Sequence, residues 1–181
     1  AANFDFNGDG MTDILVGARG ASSGAGEVYL LLDFPFSTLQ AWSQASIVIE
    51  GTSALAPIGS ILESPGDQDG DGYDDLWIGM PLADGEAGRV YYLHGRGDIE
   101  LSSMSRTMSI ADTDITLYGE LAGEQFGSSL SAGGDIDGDG VAELLVGAPL
   151  AEPGAVRESG EVRILRGPPA ADMADDPLAR I

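Results

Sequence analysis

Short apolar runs separated by clusters of Gly, Asp and Pro set the pattern of this chain. Ile14–Ala18, Leu76–Met80 and Leu144–Ala148 are each continuously apolar or small, and each is followed by a second run, Val28–Leu31, Val90–Leu93 or Val162–Leu165. Their brevity, their β-branched and aromatic content and their turn-forming borders predict strands rather than helices. Further strands are predicted at Ser46–Gly51 and Asp114–Gly119, and upstream of the later runs at Ile58–Leu62 and Phe126–Leu130. Helical content is expected to be low. The best helical stretches, Ser37–Ala45 and Ala170–Ala179, read better as a loop excursion and as a tail or approach to a last strand.

The runs recur with their surroundings. Asp5–Ala18, Asp67–Pro81 and Asp135–Pro149 align without gaps over their cores, at offsets of 62 residues (67 minus 5) and 68 residues (135 minus 67). Each core leads through a Gly/Ala-rich loop to a Gly and a strand-like run, at Gly26, Gly88 and Gly160. The unit thus reads strand, acidic loop, strand, loop, strand, loop, strand. Four short antiparallel strands at a period above sixty fit a propeller blade better than a solenoid coil. The expected fold is all-β: three repeats, each a blade of four antiparallel strands, forming a partial or assembly-completed propeller. The expected boundaries are 1–51, with its first strand incomplete, then 52–119, then 120–181 with a C-terminal tail.

Charge sharpens the picture. Thirty acids face eight basic residues, for a formal net charge of −22 in 181 residues. Nucleic acid is not expected as a partner, because binding it needs a basic footprint. Cation binding, a high-salt habitat and a solvated surface all produce acidity, and the placement of the acids favours the first. There is no cysteine, which excludes disulfides and thiolate metal sites. No apolar run approaches the roughly 18 residues of a membrane span. The chain opens Ala1-Ala2-Asn3, and a mature form or a fragment is expected.

In each core, oxygen-bearing side chains fall at loop positions 1, 3, 5 and 9, with glycines at 4 and 6. They are Asp5, Asn7, Asp9 and Asp13; Asp67, Asp69, Asp71 and Asp75; and Asp135, Asp137, Asp139 and Glu143. Alternate acids in a tight turn converge on one point, which a bound cation makes tolerable. Carbonyls at position 7, from Met11, Tyr73 and Val141, are expected to add a further oxygen. An all-oxygen cage selects Ca²⁺ over zinc or copper, and about three Ca²⁺ ions are expected. An EF-hand is rejected, because it needs a bidentate Glu at position 12, and here that position holds Val16, Ile78 or Val146. A row of plain Asp-Gly turns is the alternative for any one loop, but three loops in register argue against it.

These residues resemble the FG-GAP repeat of the integrin α-subunit propeller. Phe126-Gly127 and Gly147-Ala148-Pro149 match both halves of the motif in the third unit. The second unit has Ile58-Gly59 and Gly79-Met80-Pro81, and the first keeps Gly17-Ala18 before Arg19. The resemblance implies a propeller of about seven blades, calcium loops on one face and partner contacts on the opposite face. It also implies a calcium-stabilised extracellular binding or adhesion module, secreted or at the cell surface, without catalytic residues. A protein or glycan ligand is a possible partner, as are further copies or the remaining blades of a larger propeller. A propeller segment of a secreted hydrolase and a self-assembling surface or filament subunit are the alternatives. Three repeats cannot close a ring, and the innermost strand of the first unit is absent or reduced to residues 1–4. The tail Pro177–Ile181 is a candidate fourth strand for the third unit.

Other candidate chemistry is sparse. His94, the single histidine, is expected in a turn or partly buried position rather than in catalysis, and no Gly-x-Ser-x-Gly elbow is present. Trp77, Tyr91 and Tyr92 are expected in packing between strands, and Trp42 in an exposed contact.

Overall fold

The computed structural model describes residues 4–32, 45–153, 159–166 and 179–180. It is an all-β structure of three four-stranded sheets. The first unit contributes β1 (Ile14–Ala18), β2 (Glu27–Leu31) and β3 (Ile47–Glu50). The second contributes β4 (Ile61–Gly66), β5 (Asp75–Met80), α1 (Ala83–Glu86, a tight helical turn), β6 (Arg89–Leu93), α2 (Asp98–Ser103), β7 (Thr107–Ser109) and β8 (Ile115–Tyr118). The third contributes β9 (Ser129–Gly134), β10 (Glu143–Ala148), β11 (Glu161–Leu165) and β12 (Ala179–Arg180).

The second and third sheets run in chain order, β4-β5-β6-β8 and β9-β10-β11-β12, with antiparallel neighbours throughout. The tail therefore does supply a fourth strand, Ala179–Arg180 beside Arg163–Ile164. The first sheet differs. Its order is β1-β2-β3-β7, and β7, which lies between the third and fourth strands of the second unit, pairs parallel to β3. Neither β7 nor α2 was expected from the sequence. The helical candidate at 37–44, Trp42, and the stretch 170–178 lie outside the described residues, as do residues 1–3.

Side chains alternate across each strand, so a sheet covered on both faces needs apolar residues at every position. The second sheet meets that condition. Leu76, Ile78, Met80, Tyr91 and Leu93 join Val28, Leu30, Ile47, Ile49 and Ile58 in one core, while Trp77, Val90 and Tyr92 join Phe126, Leu144 and Val146 in another. Trp77, Tyr91 and Tyr92 are thus packing residues, as expected.

The paired motifs mark where one unit meets the next. A methyl added at Gly17 would collide with the backbone of Gly59, and one at Gly79 with the carbonyl of Gly127. Gly88, at a φ of 91°, lies just as close to the backbone of Phe126. Ile58-Gly59 and Phe126-Gly127 thus dock on the glycines of the unit before them, an approach that a side chain on those glycines would block. Phe126 fills the resulting interface completely buried.

Candidate metal centre

The acidic loops precede β1, β5 and β10 and share one hydrogen-bond scheme. The position-1 carboxylate accepts the amides at positions 4 to 6. Asp67 accepts from Gly70 at 2.7 Å and Gly72 at 2.9 Å, Asp135 from Gly138 at 2.6 Å and Gly140 at 3.0 Å, and Asp5 from Gly10 at 2.8 Å. The position-5 carboxylate accepts the amide at position 7, from Met11, Tyr73 or Val141 at 2.7 to 3.0 Å. The ninth residue opens the strand (Asp75, Glu143) or immediately precedes it (Asp13), and it is buried and accepts the amide at position 2. Asp13 accepts from Phe6 at 2.8 Å, Asp75 from Gln68 at 2.8 Å and Glu143 from Ile136 at 2.5 Å. The glycines at position 4 (Gly8, Gly70, Gly138) and position 6 (Gly10, Gly72, Gly140) all have positive φ, which lets the turn wind this tightly.

The scheme gathers charge. Carboxylate oxygens of Asp67, Asp69 and Asp71 lie within 4.8 Å of one another, as do those of Asp135, Asp137 and Asp139. Burial together with the charges of Asp69 and Asp67 pushes the Asp71 carboxyl up. The ninth-position acids are buried while the others are mostly exposed, so the cage has an inner wall and an open mouth. Burial pushes the Asp75 carboxyl up to about 6, against the lowering effect of its bonds from the Gln68 and Gly95 amides.

Two buried oxygens in these loops lack any hydrogen-bond partner: Asn7 Oδ1 at position 3 of the first loop and Glu143 Oε1 at position 9 of the third. A buried acceptor left bare costs about 1–3 kcal/mol. Both are hard oxygen donors at positions expected to ligate, so the residues present fit a calcium ion.

The second loop has a nitrogen that the sequence pattern did not assign to it. The β5–β6 register sets Leu76 opposite Leu93, and the next residues out are Asp75 and His94. Ligand atoms of Asp69, Asp75 and His94 lie within 4.8 Å of one another, with His94 Nδ1 2.6 Å from Asp69 Oδ2. The equivalent residue is Leu32 in the first unit and Arg166 in the third, the latter reaching Asp137 at 3.6 Å. The repeat alignment carries the signal: this position, directly after the strand-like run, holds Leu32, His94 or Arg166 in the three units.

The FG-GAP repeat family model matches residues 1–31 and 126–165. The chain is 34% identical over 155 residues, 82% of its length, to integrin alpha-PS5 of Drosophila melanogaster. It is likewise 34% identical over 152 residues, 80% of its length, to integrin alpha-IIb of Homo sapiens. Integrin alpha-4 of Xenopus laevis is 29% identical over 89% of the chain. The chain belongs to the FG-GAP repeat family, and its likeness is to integrin alpha chains. It spans about one seventh of those chains, 14% of alpha-PS5 and of alpha-IIb and 15% of alpha-4.

Proposed function

We propose that this chain is a calcium-stabilised extracellular binding module, three blades of an integrin-α-like propeller bounded at 1–51, 52–119 and 120–181. The observation that carries the calcium reading is the pair of buried, unpartnered oxygens, Asn7 Oδ1 and Glu143 Oε1, at two different ligand positions (3 and 9) in the loops of different units. In this reading each ion takes the side chains at positions 1, 3, 5 and 9 and the carbonyl of Met11, Tyr73 or Val141. Its charge relieves the repulsion among the carboxylates and ties the acidic loop to the strand that follows.

Exposed leucines support a contact surface at the opposite end of the strands. Leu55 and Leu121 lie in the connections between units, and Leu150 in the β10–β11 turn, with 89%, 63% and 43% of their surfaces exposed. A protein or glycan ligand would meet the module there. Weak oxygen cages fill at extracellular calcium and stay empty at cytosolic levels, which supports secretion or cell-surface display. Among the described residues no helix is long and apolar enough to cross a membrane.

Thermal unfolding in EDTA and in excess Ca²⁺ tests the reading. A site filled at a hundred times its Kd adds about 2.7 kcal/mol, worth roughly 5–10 °C in a domain of this size. An unchanged melting temperature would sink the calcium reading.

A further inference from the structure

The second loop differs from the other two in its donors. His94 presents Nδ1 beside Asp69, and its backbone amide donates a hydrogen bond to the Asp114 carboxylate at 2.9 Å. Its ring packs edge-on against Tyr92, centroids 4.7 Å apart, and Tyr92 in turn leans on Trp77 at 4.5 Å. Asp75 is fixed by the Gly95 amide at 2.9 Å and the Gln68 amide at 2.8 Å, so each of its oxygens keeps a lone pair to offer. The Tyr92 hydroxyl is wholly buried, faces the Asp75 carboxylate without reaching hydrogen-bond geometry, and has no other partner. A buried phenol beside the Asp75 carboxylate, with no hydrogen-bond partner of its own, is a polar atom waiting for a ligand.

We propose that Asp69, Asp75 and His94 bind a divalent transition ion of the zinc type, with Tyr92 beside the open position. Imidazole and carboxylate in a three-ligand set suit zinc, whereas calcium takes oxygen alone. An ion between Asp69 and His94 replaces their direct contact with two bonds of about 2 Å each. The first and third units cannot do this, because Leu32 has no donor and Arg166 repels a cation. The inference rests on the reading of this loop as a cation site but changes which ion the site prefers.

The chain has a single histidine, so its ring nitrogens report without ambiguity. Nitrogen NMR of the whole chain is recorded with Ca²⁺ and then with one equivalent of Zn²⁺, and zinc affinity is compared with that of His94→Leu, the residue of the first unit. Zinc is expected to move one ring nitrogen to its metal-bound position, and His94→Leu to weaken zinc binding at least tenfold while leaving the calcium-induced rise in melting temperature in place. An imidazole unmoved at saturating zinc, or a variant within twofold of the wild type, overturns the inference. Calcium stabilisation without an imidazole shift overturns this inference alone. An imidazole shift without calcium stabilisation overturns the calcium reading alone.

Discussion

The Asp5 amide donates to the Asp74 carboxylate at 2.8 Å, and the Asp5 carbonyl accepts the Asp74 amide at 2.9 Å. This reciprocal pair joins position 1 of the first loop to position 8 of the second. One unit on, the Gln68 side-chain amide, at position 2 of the second loop, donates to the Ala142 carbonyl, at position 8 of the third, at 2.7 Å. The cages are therefore linked in series, each braced against the next. Asp74→Ala is expected to destabilise the protein by about 1.5–3 kcal/mol, the worth of a bond to a charged acceptor. Asp74→Asn, which keeps an acceptor, is expected to lose clearly less. Equal losses in chemical denaturation would show that the charge alone matters.

Asp75 gives a pH signature. Its folded-state pKa of about 6 lies above the ordinary carboxylate value, because burial favours the neutral form. The stability it contributes is therefore full below about pH 4 and is lost as pH rises through about 6. In EDTA, the wild type minus Asp75→Asn difference in unfolding free energy is expected to fall across that window. Calcium favours the carboxylate and should abolish the fall. A difference that is flat in EDTA would rule out the burial argument.

Gly17→Ala tests how closely the units must approach. The added methyl has backbone, not a yielding side chain, in its way at Gly59. A loss of ~3 kcal/mol is expected, at the upper end for overpacking. Gly20→Ala, with open space around it, is the control and should cost far less. Similar melting temperatures for the two variants would contradict the docking.

Arg163 is a buried cation on β11, 3.0 Å from Glu161 and 3.7 Å from Glu124, with its guanidinium 5.0 Å from the Phe126 ring centroid. Removing it leaves buried carboxylates short of a counter-charge. Arg163→Ala is expected to cost about 3–5 kcal/mol. Arg163→Lys should rescue little of this, since an ammonium cannot span both acids and stack on the ring. Full rescue by lysine in thermal unfolding would mean that charge alone is needed.

Much of this was legible in the sequence. The spacing of Asp67, Asp69, Asp71 and Asp75 gave the loop, and the continuous apolar run Leu76–Met80 gave a strand buried on both faces. His94 was not legible from its neighbours in sequence. Its approach to Asp69 and Asp75 depends on the register of β5 against β6, and only comparison with Leu32 and Arg166 hints at it. β7 was hidden for another reason. Thr107–Ser109 is three residues long and pairs with a strand some sixty residues away, so no local pattern marks it.

That borrowed strand also bears on how the chain leaves the ribosome. Val48 meets its partner Thr107 only after 59 further residues (107 minus 48) have been made. Until then the outer edge of β3 is a bare row of amides and carbonyls, open to any passing strand. By the time β7 emerges, β4, β5 and β6 are already out and able to cover the face of the first sheet. The nascent first unit therefore completes itself with a piece of its successor, and the stretch of synthesis between residues 50 and 107 is when a chaperone would matter most.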